Sequence, residues 1–182
     1  MTPTDRNNNQ ESLQIDSPRL ILRRWQPDDA EALFRYASDA KVSELALWDR
    51  HTSVEMSREV IEKFFIPNPH TFAITDKTTG EPIGCIGIVP DGDEHYDISE
   101  REREVGYWLG RPHWGKGITT EALKVLIRYC RDALALKSLI ITTDERNVAS
   151  QRVAEKCGFS LIDRYEISGN RGFAYRLMLG ND

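Results

Sequence analysis

The sequence predicts one α/β-type domain built around a mixed sheet. Three observations carry this. Strand-like and helix-like segments interleave in the order β α α β β β α β α β β, rather than in blocks of one type. No internal repeat and no low-complexity linker divides them. The length of 182 residues, with 40% hydrophobic and 29% charged residues, suits a single packed core under a well-charged surface.

Each element has a local cause. "RLILRRW" (19–25) is rich in apolar residues and reads as a strand. "PDDAEALFRYAS" (27–38) opens with Pro27 and two aspartates, which suit the first turn and positive end of a helix. Thr52 and Glu55 have capping-box spacing and open a helix through Phe65, with Val60, Ile61 and Phe64 as its apolar stripe. "TFAIT" (71–75) and "IGCIGIV" (83–89) flank the turn formers "DKTTGEP" and read as a hairpin. Residues 90–102 are polar and form a loop, and "EVGYWLG" (104–110) is the next strand. From Ile118 to Leu134, Ala122, Val125, Leu126, Tyr129 and Cys130 recur at helical spacing. "SLIITT" (138–143) is a short buried strand. Asn147 to Cys157 is helical and stops at Gly158 in a left-handed cap. "FSLIDRYEI" and "FAYRLML" close the chain as a hairpin around "SGNRG". The domain thus spans 15–182, and the polar residues 1–14 are expected to be a flexible tail.

Composition narrows the function. A net charge of −5 argues against a nucleic-acid scaffold. Cys85, Cys130 and Cys157 are widely spaced and odd in number, which reads as free thiols in a reducing compartment. The N-terminal residues lack the apolar core of a signal peptide, and no run of 18 apolar residues occurs. The expected setting is therefore the cytoplasm, with no membrane partner.

"RPHWGKGITTEA" (111–122) carries the chemistry. A strand, a glycine-rich turn and a helix start together present backbone N–H groups and a positive dipole end to an anion. A triphosphate loop fits the spacing Gly110, Gly115, Lys116, but Gly117 stands where a magnesium-binding hydroxyl is needed, and Pro112 removes an N–H. A dinucleotide fingerprint would need glycine at Thr120. A tight turn without a ligand is the remaining alternative.

The neighbouring residues decide. "EVGYWLGRPHWGKGITTEALKVLI" followed by "ITTDERNVASQRVAEKCGF" resembles the GNAT acetyltransferase superfamily, and within it the ribosomal-protein N-terminal (alanine/serine) acetyltransferase branch. The resemblance runs from "SPRLILRRWQPDDAEAL" to the last strand. It implies a GNAT-type α+β fold, a mixed and mostly antiparallel sheet flanked by helices. It also implies acetyl-CoA as co-substrate, without a metal. Trp114, Gly115, Lys116, Gly117, Ile118 and Thr120 would line the pyrophosphate, Trp108 and Leu109 would pair with the pantetheine amides through their backbone, and Asn147 would hold the pantetheine arm. Pro112 replaces the usual Gln or Arg of the turn, so the phosphate contact would rest on backbone.

A thioester is already activated, so transfer to an amine needs a neutral amine, a polarised carbonyl and help for the thiolate. An α-amino group is roughly one-sixth neutral at pH 7, a lysine roughly one part in a few thousand. Glu104, sharing a strand face with Gly106 and Trp108, is the expected base, directly or through water. The alternative is a strand-end glutamate in solvent or paired with Arg101 or Arg103. Ser150 shares a helix face with Asn147 and Ala154. Many GNAT enzymes carry a tyrosine acid where this chain has Ala154, and the resembling branch uses a serine at the place of Ser150. Ser150 is therefore the expected acid; its alternative is a serine bonding its own helix. Cys130 and Cys157 read as core residues, and His51, His70, His95 and His113 lack metal-ligand spacing. His113 lies in the cofactor turn but reads as a loop histidine; Trp25 is a core residue and Trp48 a candidate for the acceptor-pocket rim. The expected activity is direct acetyl transfer, in a ternary complex, to a protein or peptide α-amine such as a ribosomal protein's. A small-molecule amine and a non-catalytic CoA-binding module are the alternatives. The enzyme would be a monomer or homodimer.

Overall fold

The computed structural model describes residues 13–167 and 169–180. The expected tail lies outside the described residues except at its end, where Gln14 already begins a strand.

The backbone groups into two compact units with interleaved segments. The first comprises the chain to Ile86 and residues 108–116. It holds β1 (Gln14–Asp16), β2 (Leu20–Arg24), α1 (Ala30–Ala37), α2 (Ala40–Ala46), α3 (Val54–Val60) and β3 (Thr71–Asp76). It also holds most of β4 (Pro82–Ile88) and the end of β5 (Glu102–Leu109). β1 pairs antiparallel with β2, and β2 with β3, Leu22 standing opposite Ile74. Trp25, Ala30, Leu33, Ala37, Ile61, Ala73 and Cys85 form its buried cluster, with Trp48 and Trp108 packed against it half-buried.

Local chemistry explains the departures from the sequence reading. Pro27–Asp29 is a 3-10 turn, and α1 starts only at Ala30. The Asp29 carboxylate takes two bonds from Arg23 (2.8 Å each) and one from the Gln26 N–H (2.9 Å), rather than serving the dipole alone. α2 was not expected; the Asp39 side chain caps it by accepting from the Lys41 N–H. Ser53, not Thr52, caps α3, since its hydroxyl accepts from the Met56 N–H at 3.0 Å. α3 then widens into a π-helical turn over Ile61–Phe65, closed by the Ile66 N–H on the Ile61 carbonyl.

The second unit comprises residues 87–107 and 117–182. It contains α4 (Ile118–Asp132), β6 (Ser138–Asp144), α5 (Val148–Lys156), β7 (Ser160–Ile167) and β8 (Asn170–Met178). The apolar stripe expected of α4 is buried at Ile118, Ala122, Leu123, Val125, Leu126 and Cys130. Gly158 follows α5 at φ +90°, the expected left-handed stop. β8 pairs antiparallel with both β6 and β7. β5 runs parallel to β6, pairing Glu102–Glu104 with Ser138–Ile140. Strand order is β1-β2-β3 within the first unit and β5-β6-β8-β7 within the second. This is the α+β class expected, with a mostly antiparallel sheet.

Candidate active site

The glycine turn has the conformation its residues suggest. Gly115 and Gly117 both sit at φ +73°, where a Cβ is disfavoured. Gly117 is the N-cap of α4, and no side chain caps that helix. The N–H groups of Ile118, Thr119 and Thr120 therefore have no intrahelical acceptor. A Cβ on Gly115 would meet nothing within 4 Å, so the glycine serves the backbone shape. These N–H groups suit phosphate oxygens, and Lys116 is exposed next to them in sequence.

The residues leading into the turn are tied down. The Trp114 indole N–H donates to the Leu109 carbonyl at 2.7 Å. Arg19 donates to the Lys116 carbonyl at 3.0 Å, and Arg111 pairs with Asp39 at 2.7 Å. Tyr36 Oη lies 3.2 Å from His113 Nε2, and burial together with the Lys116 charge lowers the His113 pKa. The Leu109 carbonyl thus anchors the Trp114 ring to the end of β5. Arg19 carried no readable signal, because it lies 97 residues away in sequence.

In the second unit, the β5–β6 pairing ends at Glu104 and Ile140 while β6 continues to Asp144. Residues 105–107 therefore leave β6 behind, and their backbone edge on that side can take another extended chain. α5 follows β6 in the chain. Its N-cap Asn147 accepts from the Ser150 N–H at 3.1 Å, so the side-chain oxygen of Asn147 caps the helix. The Ser150 hydroxyl lies 3.0 Å from Tyr107 Oη, which also lies 3.2 Å from the Ser150 carbonyl. Burial is the largest influence on Tyr107 and pushes its phenol well above the usual range, so it stays protonated. Tyr107 is a hydroxyl that the sequence reading left in a strand; the apposition links residues 43 apart.

Glu104 is buried, with its side chain 3% exposed. Its Oε1 accepts from the Thr142 hydroxyl at 2.6 Å and lies 3.1 Å from His95 Nδ1. Its Oε2 accepts from the His95 backbone N–H at 2.6 Å. Neither Arg101 nor Arg103 is its partner: Arg101 donates to the Ala135 carbonyl, and Arg103 to the Glu102 carbonyl. The strand's buried ion pair belongs instead to Glu102, held by Arg176 and Ser138 at 2.7 Å each. Burial works to raise the Glu102 pKa, but Arg176, Ser138 and the Ser99 N–H outweigh it and leave the carboxyl below its ordinary range.

Burial pushes the Cys85 and Cys130 thiols up to about 12 and raises Cys157 as well, so none is poised as a thiolate. Trp48 is half-buried, its ring centroid 5.4 Å from that of His51 and 6.0 Å from that of Trp108. Among the described residues no group of three or more His, Cys, Asp or Glu could hold a metal ion. No helix among them is long and apolar enough to cross a membrane.

Comparison with known proteins follows the same lines. The family model described as "Acetyltransferase (GNAT) domain" matches residues 19–160. An uncharacterized N-acetyltransferase, p20, of Bacillus licheniformis is 31% identical over 160 residues, covering 84% of this chain and 87% of that one. The ribosomal-protein-serine acetyltransferase of Escherichia coli is 38% identical over 58 residues, 32% of each chain. The crystal structure of a GNAT-family acetyltransferase from Bacillus anthracis superposes with a TM-score of 0.79 at 22% identity, covering 92% of this chain and 99% of that one.

Proposed function

The chain belongs to the GNAT acetyltransferase family, and from that premise we propose that it acetylates the α-amino group of a protein or peptide chain, of the ribosomal-protein type, in the cytoplasm. It is an N-acetyltransferase that uses acetyl-CoA and an amine acceptor. Acetyl-CoA supplies an acyl carbon already activated as a thioester. In this reading the N–H groups of Gly115, Lys116, Gly117, Ile118 and Thr120 receive the pyrophosphate, with Trp114 supporting the turn. The backbone of residues 105–107, continuing into Trp108 and Leu109, receives the pantetheine arm, with Asn147 at the head of α5. Glu104 serves removal of the amine proton, and the Ser150 hydroxyl serves the departing thiolate. Transfer is direct, in a ternary complex, and the working unit is a monomer or homodimer.

The observation that carries the mechanism is the parting of β5 from β6 just after Glu104, with the Tyr107–Ser150 hydroxyl pair beside it. The acceptor class is supported by the likeness to the ribosomal-protein-serine acetyltransferase and by the chemistry of an α-amine, which is partly neutral at pH 7. The test is an acetyl-CoA turnover screen, read by thiol release, against peptides of varied N-terminus and a panel of small amines including polyamines. Turnover with peptides alone is expected. Turnover confined to small amines overturns the acceptor assignment.

A further inference from the structure

The loop between β4 and β5 contributes a residue that the motif reading passed over. His95 grips both oxygens of Glu104, one with its backbone N–H (2.6 Å) and the other with Nδ1 (3.1 Å). Next to it, the Tyr96 hydroxyl donates to Asp163 at 3.1 Å and pins the loop to β7. The exposures of the pair are opposite: Glu104 is 3% exposed and His95 65%. With three donors on it and almost no open surface, the carboxylate is poorly placed to meet an acceptor amine itself. The imidazole is well placed. A carboxylate on Nδ1 fixes the tautomer with the proton on that nitrogen, which leaves the Nε2 lone pair facing outward as a base. Nε2 has no partner among the described residues.

We propose that His95 is the general base of this acetyltransferase, taking the acceptor proton at Nε2, and that Glu104 is its positioning residue. This rests on the acetyltransferase reading and replaces a carboxylate base by a histidine–carboxylate pair. As the amine nitrogen forms its bond to the acyl carbon and the carbon–sulfur bond breaks, the proton that nitrogen sheds moves to Nε2. His95 releases it to solvent, while the thiolate gains a proton through Ser150, which recovers one in turn. The charged groups facing His95 are Glu104 on β5 and Asp93 in its own loop; its bond to Glu104 is the largest influence and raises its pKa above the ordinary 6.5 despite burial. The Thr142 hydroxyl donates to Glu104, and burial first, then the Glu104 and Asp144 charges, raise the Tyr165 pKa.

The experiment is the pH profile of kcat, at acceptor concentrations that saturate at every pH so that ionisation of the free amine drops out, for wild type, His95→Gln, His95→Ala and Glu104→Gln, with acetyl-CoA binding measured on each as the check of folding. In wild type the rate rises with pH through the elevated His95 pKa, because only the neutral imidazole accepts a proton. His95→Gln is expected to lose about 100-fold and that rising limb, and His95→Ala to recover activity with added imidazole. Glu104→Gln keeps the limb but moves it to lower pH, since the group that raises the pKa is gone. An unchanged limb in His95→Gln, or a deficit in His95→Ala that imidazole does not relieve, overturns the proposal. If wild type acts only on small amines, the acceptor reading fails, and the same profiles on those amines still decide the role of His95.

Discussion

Tyr107→Phe removes one oxygen from the second unit and isolates one interaction. The phenol touches Ser150 twice, at the hydroxyl (3.0 Å) and the carbonyl (3.2 Å). Burial keeps it protonated, so it can donate to the Ser150 oxygen while that hydroxyl's own proton turns to the thiolate. A neutral hydrogen bond of this kind contributes about 0.5–1.5 kcal/mol. If all of it acts in the transition state, kcat falls roughly 2- to 12-fold. Stability falls by a similar energy, about 1–6 °C in Tm for a chain of this size. Ser150→Ala removes the hydroxyl proposed to protonate the thiolate and is expected to cost about 100-fold. The decisive measurement is the double-mutant cycle by thiol release at saturating acetyl-CoA. Because Tyr107 works through Ser150, Tyr107→Phe should change kcat little when Ser150 is already alanine, giving a coupling of about 0.5–1.5 kcal/mol. Additive losses, or a Tyr107→Phe enzyme as fast as wild type, would refute the reasoning.

Three further outcomes follow from the geometry. A Cβ on Gly110 would lie 2.4 Å from the Tyr36 ring, while φ there is an ordinary −57°, so Gly110→Ala should cost about 1–3 kcal/mol by overpacking alone, a Tm loss of about 2–12 °C in a thermal melt. Gly115→Ala meets open space but must hold φ +73°, so it should melt only slightly earlier, by about 1 kcal/mol, and should raise the KM for acetyl-CoA if the turn is displaced. His51 is buried with Nδ1 2.7 Å from the Ser57 hydroxyl, and burial lowers its pKa below 6.5. The unfolded chain then binds the proton more readily, so this contribution to stability is present above pH 6.5 and is lost as pH falls through the lowered value. Denaturant unfolding of His51→Gln against wild type should show less of that acid-side loss in the variant.

Elements whose causes lie within a few residues were legible in the sequence. α4 declares itself by apolar spacing, α5 by Asn147 and Gly158, and the turn ahead of α4 by glycines at positions that need positive φ. The α2 helix escaped because it has only seven residues, too short for a periodic stripe, and is capped by Asp39, which also reads as a loop residue. Glu104 was legible as a site residue, but its surroundings were not. Arg101 and Arg103 are its sequence neighbours, yet their guanidinium groups bond elsewhere.

The division is one of range. Backbone conformation, capping and amphipathic spacing are set by neighbours in the chain, and the sequence alone determined the α+β class, the order of most elements and the glycine turn ahead of α4. Which side chains meet is decided by strand register and loop path, and those are properties of the assembled sheet. Parallel pairing of β5 with β6 brings Thr142 to Glu104 across 38 residues. The end of that pairing leaves Tyr107 to meet Ser150 across 43. The fold of the loop before β5 puts His95, nine residues from Glu104, onto both of its oxygens. Only the tertiary structure turned a lone glutamate and a lone serine into a carboxylate–imidazole pair and a pair of hydroxyls.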